Sequence, residues 1–451
     1  MRKTKIVGTI GPASFDKGTL RQLFLAGVNV VRMNFSHGTH EEHEKQYEMV
    51  QSLNEELGFY VGTLLDTKGP EIRTHLFKDG RAFIKQGSTV TISMEEKLGD
   101  ETSFSVTYDK LYDDLEVGHL ILVDDGYLQL LIMEKDDKKR ELITLAKNSH
   151  ILRDRRGINV PNAKLNLPFI SEHDLADIDF ACRFNVDYIA ASFVRRKEDV
   201  LEIKEILKKA GREYIIVIAK IESQEAISNI DEILEVADGI MVARGDLGVE
   251  IFPEDLPHVQ KQIVLKCQQQ GKIVIIATQM LESMIFNPRP TRAEVSDVAN
   301  AVYEGADATM LSGEMAVGKY PIESVEYMAK INHRSQHYID HLGFITNTPV
   351  APDDILEAIG YATAQTTLHY PVKAILSYGH SQSKTISKYR PIAPIIAMVD
   401  EAHKATTLSC YYGVFPVLNE QELQLKYRQL GIDQGDTILV ARRGQIQFIR
   451  I

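Results

Sequence analysis

Eight short β-branched apolar runs recur at 5–10, 29–35, 61–66, 188–194, 215–221, 239–243, 272–278 and 307–312, and amphipathic helical patterns separate them. Polar or glycine-rich residues follow each run, so side chains able to do chemistry gather where strands end. A chain that alternates strand and helix builds a parallel sheet. Eight such units over one closed region predict a (β/α)8 barrel, in which functional groups come from the carboxyl ends of several strands. An open doubly wound sheet is the alternative, but it gives no reason for polar groups at nearly every strand end.

The alternation breaks between Pro70 and about Leu167, where strand-like runs at 81–84, 89–93, 119–123 and 127–133 follow one another with no convincing helix. This predicts an all-β domain at 70–166, inserted after the third barrel strand and able to close over the polar rim as a lid. The barrel then occupies 1–69 and 167–340. Residues 341–354, with Gly343, Pro349 and Pro352, read as a linker. A helix at 355–369, a strand at 373–377, a helix at 383–389 and strands at 392–398, 413–417 and 437–441 predict a C-terminal α/β domain at 350–451. The length of 451 residues suits this division, since domains average roughly 150 residues and a barrel uses about 250.

A net charge of −12 argues against a nucleic-acid surface, which needs clustered Lys and Arg. No apolar run approaches the ~18 residues of a membrane span, and the amino terminus has too short an apolar stretch for a secretory signal. Cys182, Cys267 and Cys410 are widely spaced in apolar patterns and read as buried thiols of a reducing cytoplasm.

The richest stretch is 215–250, IIVIAKIESQEAISNIDEILEVADGIMVARGDLGVE, which reads as strand, helix at 224–236, strand. Alternation along the strand sends Lys220 and Glu222 to one side, so an ammonium and a carboxylate arrive together. Arg244-Gly245-Asp246 adds a second carboxylate beside a glycine that a ligand can approach closely. Two carboxylates with space between them suit Mg²⁺, which keeps water and substrate oxygens in its remaining positions. The plainer reading is a solvated ion pair and a turn.

On the second strand, Arg32, Asn34 and Ser36 share a side, and the arginine fork matches a phosphate. At the third strand's end Asp66 and Thr67 add oxygens that lie near those of Asn34 and Ser36 if the strands are neighbours; four hard oxygens with one negative charge suit K⁺ better than Zn²⁺. Arg73 stands where the chain enters the lid. Thr278 and Ser312 place hydroxyls at the ends of the seventh and eighth strands.

Taken together, VVRMNFSHG, LLDTKGPEIRT, VDDG, AASFVR, AKIES, GIMVARGDLGVE, IATQMLESM, NPRPTRAEVSDVANAV and DATMLSGEMAVGKYP resemble the pyruvate kinase family, in that family's order and over nearly all of the first 330 residues. The resemblance implies transfer of phosphate from phosphoenolpyruvate to ADP, giving pyruvate and ATP, with Mg²⁺ and K⁺ as cofactors. It also implies a cytoplasmic homotetramer built partly by the C-terminal domain. It places Arg32 on the transferred phosphate and Lys220 where charge in transit is stabilised. Glu222 and Asp246 fall at the Mg²⁺ positions, and Asn34, Ser36, Asp66 and Thr67 at those for K⁺. Gly245, Asp246 and Thr278 match the substrate-carboxylate site, with Arg32 and Lys220 completing the substrate contacts. Asn34, His37, Arg73 and Arg156 match nucleotide contacts. Glu71 is the residue that in this family goes with K⁺ dependence. Thr278 and Ser312 are expected to position water that protonates the enolate.

The match loosens at three places. Arg156 stands where the family usually has a nucleotide-contacting lysine, and the change of geometry bears on nucleotide preference. His173, in Ser171-Glu172-His173-Asp174, replaces a frequent lysine. The C-terminal loop from Ser377 to Lys384 keeps Ser, His and Lys able to hold an anion, but the tail from Ala441 to Ile451 lacks the glycine- and threonine-rich pattern, which argues against activation by fructose 1,6-bisphosphate. A phosphoenolpyruvate-binding pseudoenzyme that signals through the altered C-terminal domain is the runner-up, and intact Lys220, Glu222 and Asp246 argue against it. Another Mg²⁺-enolate barrel, such as a pyruvate-type aldolase, has no use for a lid carrying Arg73 and Arg156.

Overall fold

The computed structural model describes residues 1–442 and 444–451; Arg443, in the divergent tail, lies outside the described residues. Eight parallel strands, Lys5–Thr9, Val30–Asn34, Gly62–Asp66, Tyr188–Ala191, Ile216–Ile221, Gly239–Ala243, Ile273–Ala277 and Ala308–Leu311, close into a barrel. Neighbours in space are neighbours in sequence, and the first strand pairs with the eighth. The period of two explains both faces. Val7, Val30, Leu64, Ala190 and Ile218 fill the interior, while Ile6, Val31, Leu65, Ile189 and Val217 meet the surrounding helices. Helices start where the sequence can cap them: Thr39 with Glu42, Ser171 with Asp174 and Thr291 with Glu294 each form a reciprocal capping box.

Between the third and fourth barrel strands the chain forms a seven-stranded and a two-stranded sheet. Phe104, Leu111, Ile121 and Leu130 belong to a core of their own. A single helical turn, Leu111–Asp114, interrupts a segment expected to be free of helix. The expected linker also contains a helix, His341–Asn347, because Asp340 caps it and Ile345 is buried. The helix expected at 224–236 is two, Gln224–Ser228 and Ile230–Val236, broken where the Asn229 side chain donates to the Arg195 carbonyl at 3.0 Å.

The C-terminal sheet has five strands, four parallel and the last, Gln445–Arg450, antiparallel. That last strand and the helices Ala402–Thr406 and Glu420–Leu430 were not anticipated from the sequence pattern. This domain covers the amino end of the barrel. Tyr188 donates its hydroxyl to the Thr407 carbonyl at 2.8 Å, and Asp307, just before the eighth strand, accepts from Arg390 at 2.9 Å and from the Tyr412 amide at 3.0 Å. The carboxyl end, where the polar residues lie, is left for the lid. Among the described residues, no helix is long and apolar enough to cross a membrane.

The Arg390 and Asp307 side chains are both almost fully buried, so removing one leaves the other an uncompensated charge. Arg390→Leu is expected to destabilise the chain by about 3–5 kcal/mol in chemical denaturation; a loss below about 1 kcal/mol means that the junction does not depend on this pair.

Candidate active site

Register brings the candidate side chains together. Asp66 lies opposite Asn34 on one side and Ala190 on the other, and Lys220 is two residues past Ile218, itself level with Ala190. The Asp66 carboxylate, 1% exposed, receives Arg32 Nε at 2.5 Å through one oxygen and Lys220 Nζ at 3.1 Å through the other. Lys220 also reaches Glu222 Oε1 at 2.9 Å and donates to Ser192 Oγ at 2.7 Å. Arg32 donates to Thr9 Oγ1 at 3.0 Å, which leaves other N–H groups of the fork for a ligand.

Burial alone favours the neutral forms of these groups, and the neighbours decide which of them resist it. For Asp66 burial is outweighed by Arg32 and Lys220, and its pKa falls below the usual value. Burial likewise opposes the charge on Lys220, but Asp66 and Glu222 outweigh it and hold the ammonium charged. Glu222 goes the other way: burial pushes its carboxyl up to about 7 against the pull of Lys220, and Asp246 adds to the rise. The Lys220–Glu222 contact is therefore unequal. The ammonium has two carboxylates, whereas Glu222 has one shared cation and a second carboxylate nearby.

Glu222 and Asp246 line a cleft of about 500 Å³ between barrel and lid, together with Glu71, Asp125, Asn159 and Glu250. Burial also raises the pKa of Asp125 and Glu250, and Asp246 contributes to both. This concentration of hard oxygen donors fits a divalent cation such as Mg²⁺, and Glu222 and Asp246 would hold it. Arg32, Lys220, Thr278 and Ser312 do not line the cleft; Lys220 meets it through Glu222.

Just past the fourth and seventh barrel strands, Phe193, with φ 55°, and Thr278 and Gln279, with φ 65° and 55°, adopt the left-handed conformation that side chains rarely take. Phe193 donates its amide to Glu222 Oε2 at 2.6 Å. Thr278 Oγ1 accepts from the Gly245 amide at 2.7 Å and donates to the Ala277 carbonyl at 2.6 Å. Phe193 and Thr278 thus hold the elements that carry Glu222 and Gly245. Arg244-Gly245-Asp246 begins the helix Arg244–Glu250 and is no free turn. A Cβ at Gly245 would meet Thr278 at 3.5 Å, an ordinary contact, so internal crowding does not require glycine there. Arg244 turns inward, onto Asp297 at 2.6 Å and the Thr278 carbonyl at 2.8 Å. The Ser312 hydroxyl is buried with no hydrogen-bond partner among the described residues.

The remaining candidates are less closely gathered. Arg73 grips Glu71 through two hydrogen bonds, at 2.7 and 3.0 Å. Arg156 points to Asp124 at 3.5 Å and lines a separate depression on the lid. His37 is exposed. Of the expected K⁺ ligands, Asp66 is engaged by two cations, and Thr67 Oγ1 exchanges hydrogen bonds with the Ser192 amide and the Ala190 carbonyl. Among the described residues, Asn34 Oδ1 accepts only from the Ser36 amide, at 3.3 Å. Four contributors were not singled out from the sequence: Thr9, Ser192, Asp125 and Glu250. Ser192 shares the strand parity of Ala190, opposite Asp66, the signal that could have found it; Asp125 and Glu250 stand inside VDDG and GIMVARGDLGVE, but they reach the cleft from different domains and no local pattern says that they meet.

Two family models match the chain: pyruvate kinase, barrel domain, over residues 1–325, and pyruvate kinase, alpha/beta domain, over residues 357–442. A pyruvate kinase from Staphylococcus haemolyticus is 49% identical over 93% of this chain and 72% of its own length. One from Bacillus licheniformis is 47% identical over 100% of this chain and 77% of its own. A crystal structure of a pyruvate kinase from Cryptosporidium parvum superposes with a TM-score of 0.95 at 35% identity, covering 100% of this chain and 96% of that one.

The raised Glu222 pKa has a definite sign. The folded state binds this proton more tightly than the unfolded chain, so the stabilisation is complete below about 4.5 and is lost as pH rises through about 7. In metal-free protein, denaturation midpoints are expected to fall across that window by the equivalent of a few kcal/mol, and Glu222→Gln is expected to remove this part of the slope. Parallel wild-type and variant profiles would contradict the assignment.

Proposed function

The chain belongs to the pyruvate kinase family and is a phosphotransferase, and from that premise we propose that it moves the phosphoryl group of phosphoenolpyruvate to ADP, yielding pyruvate and ATP. The observation that carries the reading is the buried group formed by Arg32, Asp66, Lys220 and Glu222 at the mouth of the barrel. Phosphoryl transfer is chiefly positioning and charge neutralisation, and a lysine held charged in a buried, preorganised place supplies both.

In this reading the free N–H groups of Arg32 bind the transferred phosphate and Lys220 steadies its charge in flight. The bond from phosphorus to the enolate oxygen breaks as a bond to a terminal phosphate oxygen of ADP forms. Gly245, Asp246 and Thr278 orient the substrate carboxylate. Glu222 and Asp246 would hold Mg²⁺, which when bound would supply charge neutralisation. The enolate then takes a proton on its methylene carbon. Ser312, whose hydroxyl has no partner among the described residues, keeps its proton free for a water, whereas Thr278 gives its own to Ala277. ADP is assigned to Asn34, His37, Arg73 and Arg156. K⁺ is assigned to Asn34, Ser36, Asp66 and Thr67, with Glu71 as the residue that leaves the site dependent on a monovalent cation. The domains are read as a barrel at 1–69 and 167–340, a lid at 70–166 and an assembly domain at 350–451, in a cytoplasmic homotetramer whose mass sedimentation would measure.

A coupled assay for pyruvate, from phosphoenolpyruvate and ADP with and without Mg²⁺ and K⁺, tests the proposal directly; no pyruvate under full conditions refutes it. Lys220→Met is expected to cut turnover by at least ~10²-fold, the scale of one lost preorganised charge-stabilising group, in protein that circular dichroism reports as folded. Near-wild-type turnover removes Lys220 from its role. Glu71→Lys is expected to reduce the K⁺ requirement, and an unchanged requirement counts against the monovalent-cation assignment.

A further inference from the structure

His173 lies in the first turn of the helix Glu172–Phe184, outside the cleft, and Asp177 is one helical turn on, so both project from the same face. His173 Nδ1 is 3.0 Å from Asp177 Oδ2. A ligand atom from each of His173, Asp174 and Asp177 falls within 4.8 Å of the others. Asp177 is fully buried on its side chain, and its other oxygen takes His40 Nε2 at 2.7 Å. Its Oδ2 is buried without a hydrogen-bond partner among the described residues, because the His173 ring approaches it at ion-pair distance but not with hydrogen-bond geometry. Two ligands bonded to one tetrahedral ion at about 2.0–2.1 Å lie roughly 3.3 Å apart, close to this separation.

We propose that His173, Asp174 and Asp177 form a second metal site, separate from Glu222 and Asp246, that takes a divalent transition-metal ion of the Zn²⁺ class. An imidazole with carboxylates selects such an ion over Mg²⁺ or Ca²⁺, which take oxygen donors. His40 fixes the Asp177 carboxylate, as a hydrogen-bonded outer partner does for a ligand. The His173 side chain is 54% exposed, so an ion reaches the group from solvent. Burial raises the Asp177 pKa against the pull of His40 and His173; a cation bound at the Oδ2 that lacks a hydrogen bond would offset that burial. Asp174 accepts the Gly69 amide at 2.9 Å, and Gly69, with φ 70°, is where the third strand gives way to the lid. A bound ion therefore stiffens the junction between barrel and lid.

Equilibrium dialysis of chelator-stripped full-length protein against Zn²⁺, in excess Mg²⁺ and carrying Glu222→Gln to weaken the other carboxylate pair, tests the site. One Zn²⁺ per chain is expected, and His173→Ala on the same background is expected to weaken it by at least about tenfold. That variant replaces a half-exposed side chain outside the core, and its melting temperature without metal is expected to match that of the parent. Hydrogen exchange at the Gly69 amide is expected to slow with Zn²⁺ in the parent and not in His173→Ala. No bound Zn²⁺, or binding untouched by His173→Ala, overturns the site; exchange at Gly69 that ignores the ion overturns the stiffening.

Discussion

One carboxylate organises the working end of this protein. Asp66, buried at the end of the third strand, holds the Arg32 guanidinium and the Lys220 ammonium from two neighbouring directions, and each has somewhere else to donate. Taking charges out of water costs several kcal/mol apiece, and their mutual attraction offsets this only when geometry and hydrogen bonds are good. The barrel meets that condition because the strands fix the backbone from which these side chains extend. The same arrangement that makes the group costly to assemble makes it rigid once assembled, which is what charge stabilisation in a transition state requires.

The charges do not balance at the edge of this group. Glu222 shares Lys220 with Asp66 and faces Asp246, and the lid adds Asp125 while the helix after the sixth strand adds Glu250. Burial pushes three of these carboxyls toward their neutral forms. A phosphorylated substrate would add still more negative charge, so a cleft of this composition works with anions only when cations accompany them. The strained backbones of Phe193 and Thr278 belong to the same design: each turns a backbone group or hydroxyl toward the elements that carry Glu222 and Gly245.

Much of this was legible in the linear pattern. The parity of Arg32 and Asn34, and of Lys220 and Glu222, followed from strand alternation, and the eight strand positions followed from β-branched runs bounded by polar residues. What the pattern missed shares a cause. The helix His341–Asn347 depends on Ile345 finding a buried place, and the break at Asn229 on a carbonyl from a distant loop. Tertiary contacts override local propensity in both cases. For Ser192 parity was the only local signal, since serine at a strand end carries no distinctive chemistry until a lysine faces it.

Sequence alone determined that the chain alternates strand and helix, interrupts that alternation with a β insert, and offers ammonium, guanidinium and carboxylate groups at the strand ends, because side-chain periodicity and β-branching are local properties. Only the tertiary structure decided which oxygen takes which cation: Lys220 is shared between Asp66 at 3.1 Å and Glu222 at 2.9 Å, while Arg32 goes to Asp66. It also decided that Arg156 turns to Asp124 and that His40 meets Asp177 across more than a hundred residues. Those outcomes depend on distances of about 3 Å between segments far apart in the chain, and electrostatic energies at that range are set by burial and register that no local pattern encodes.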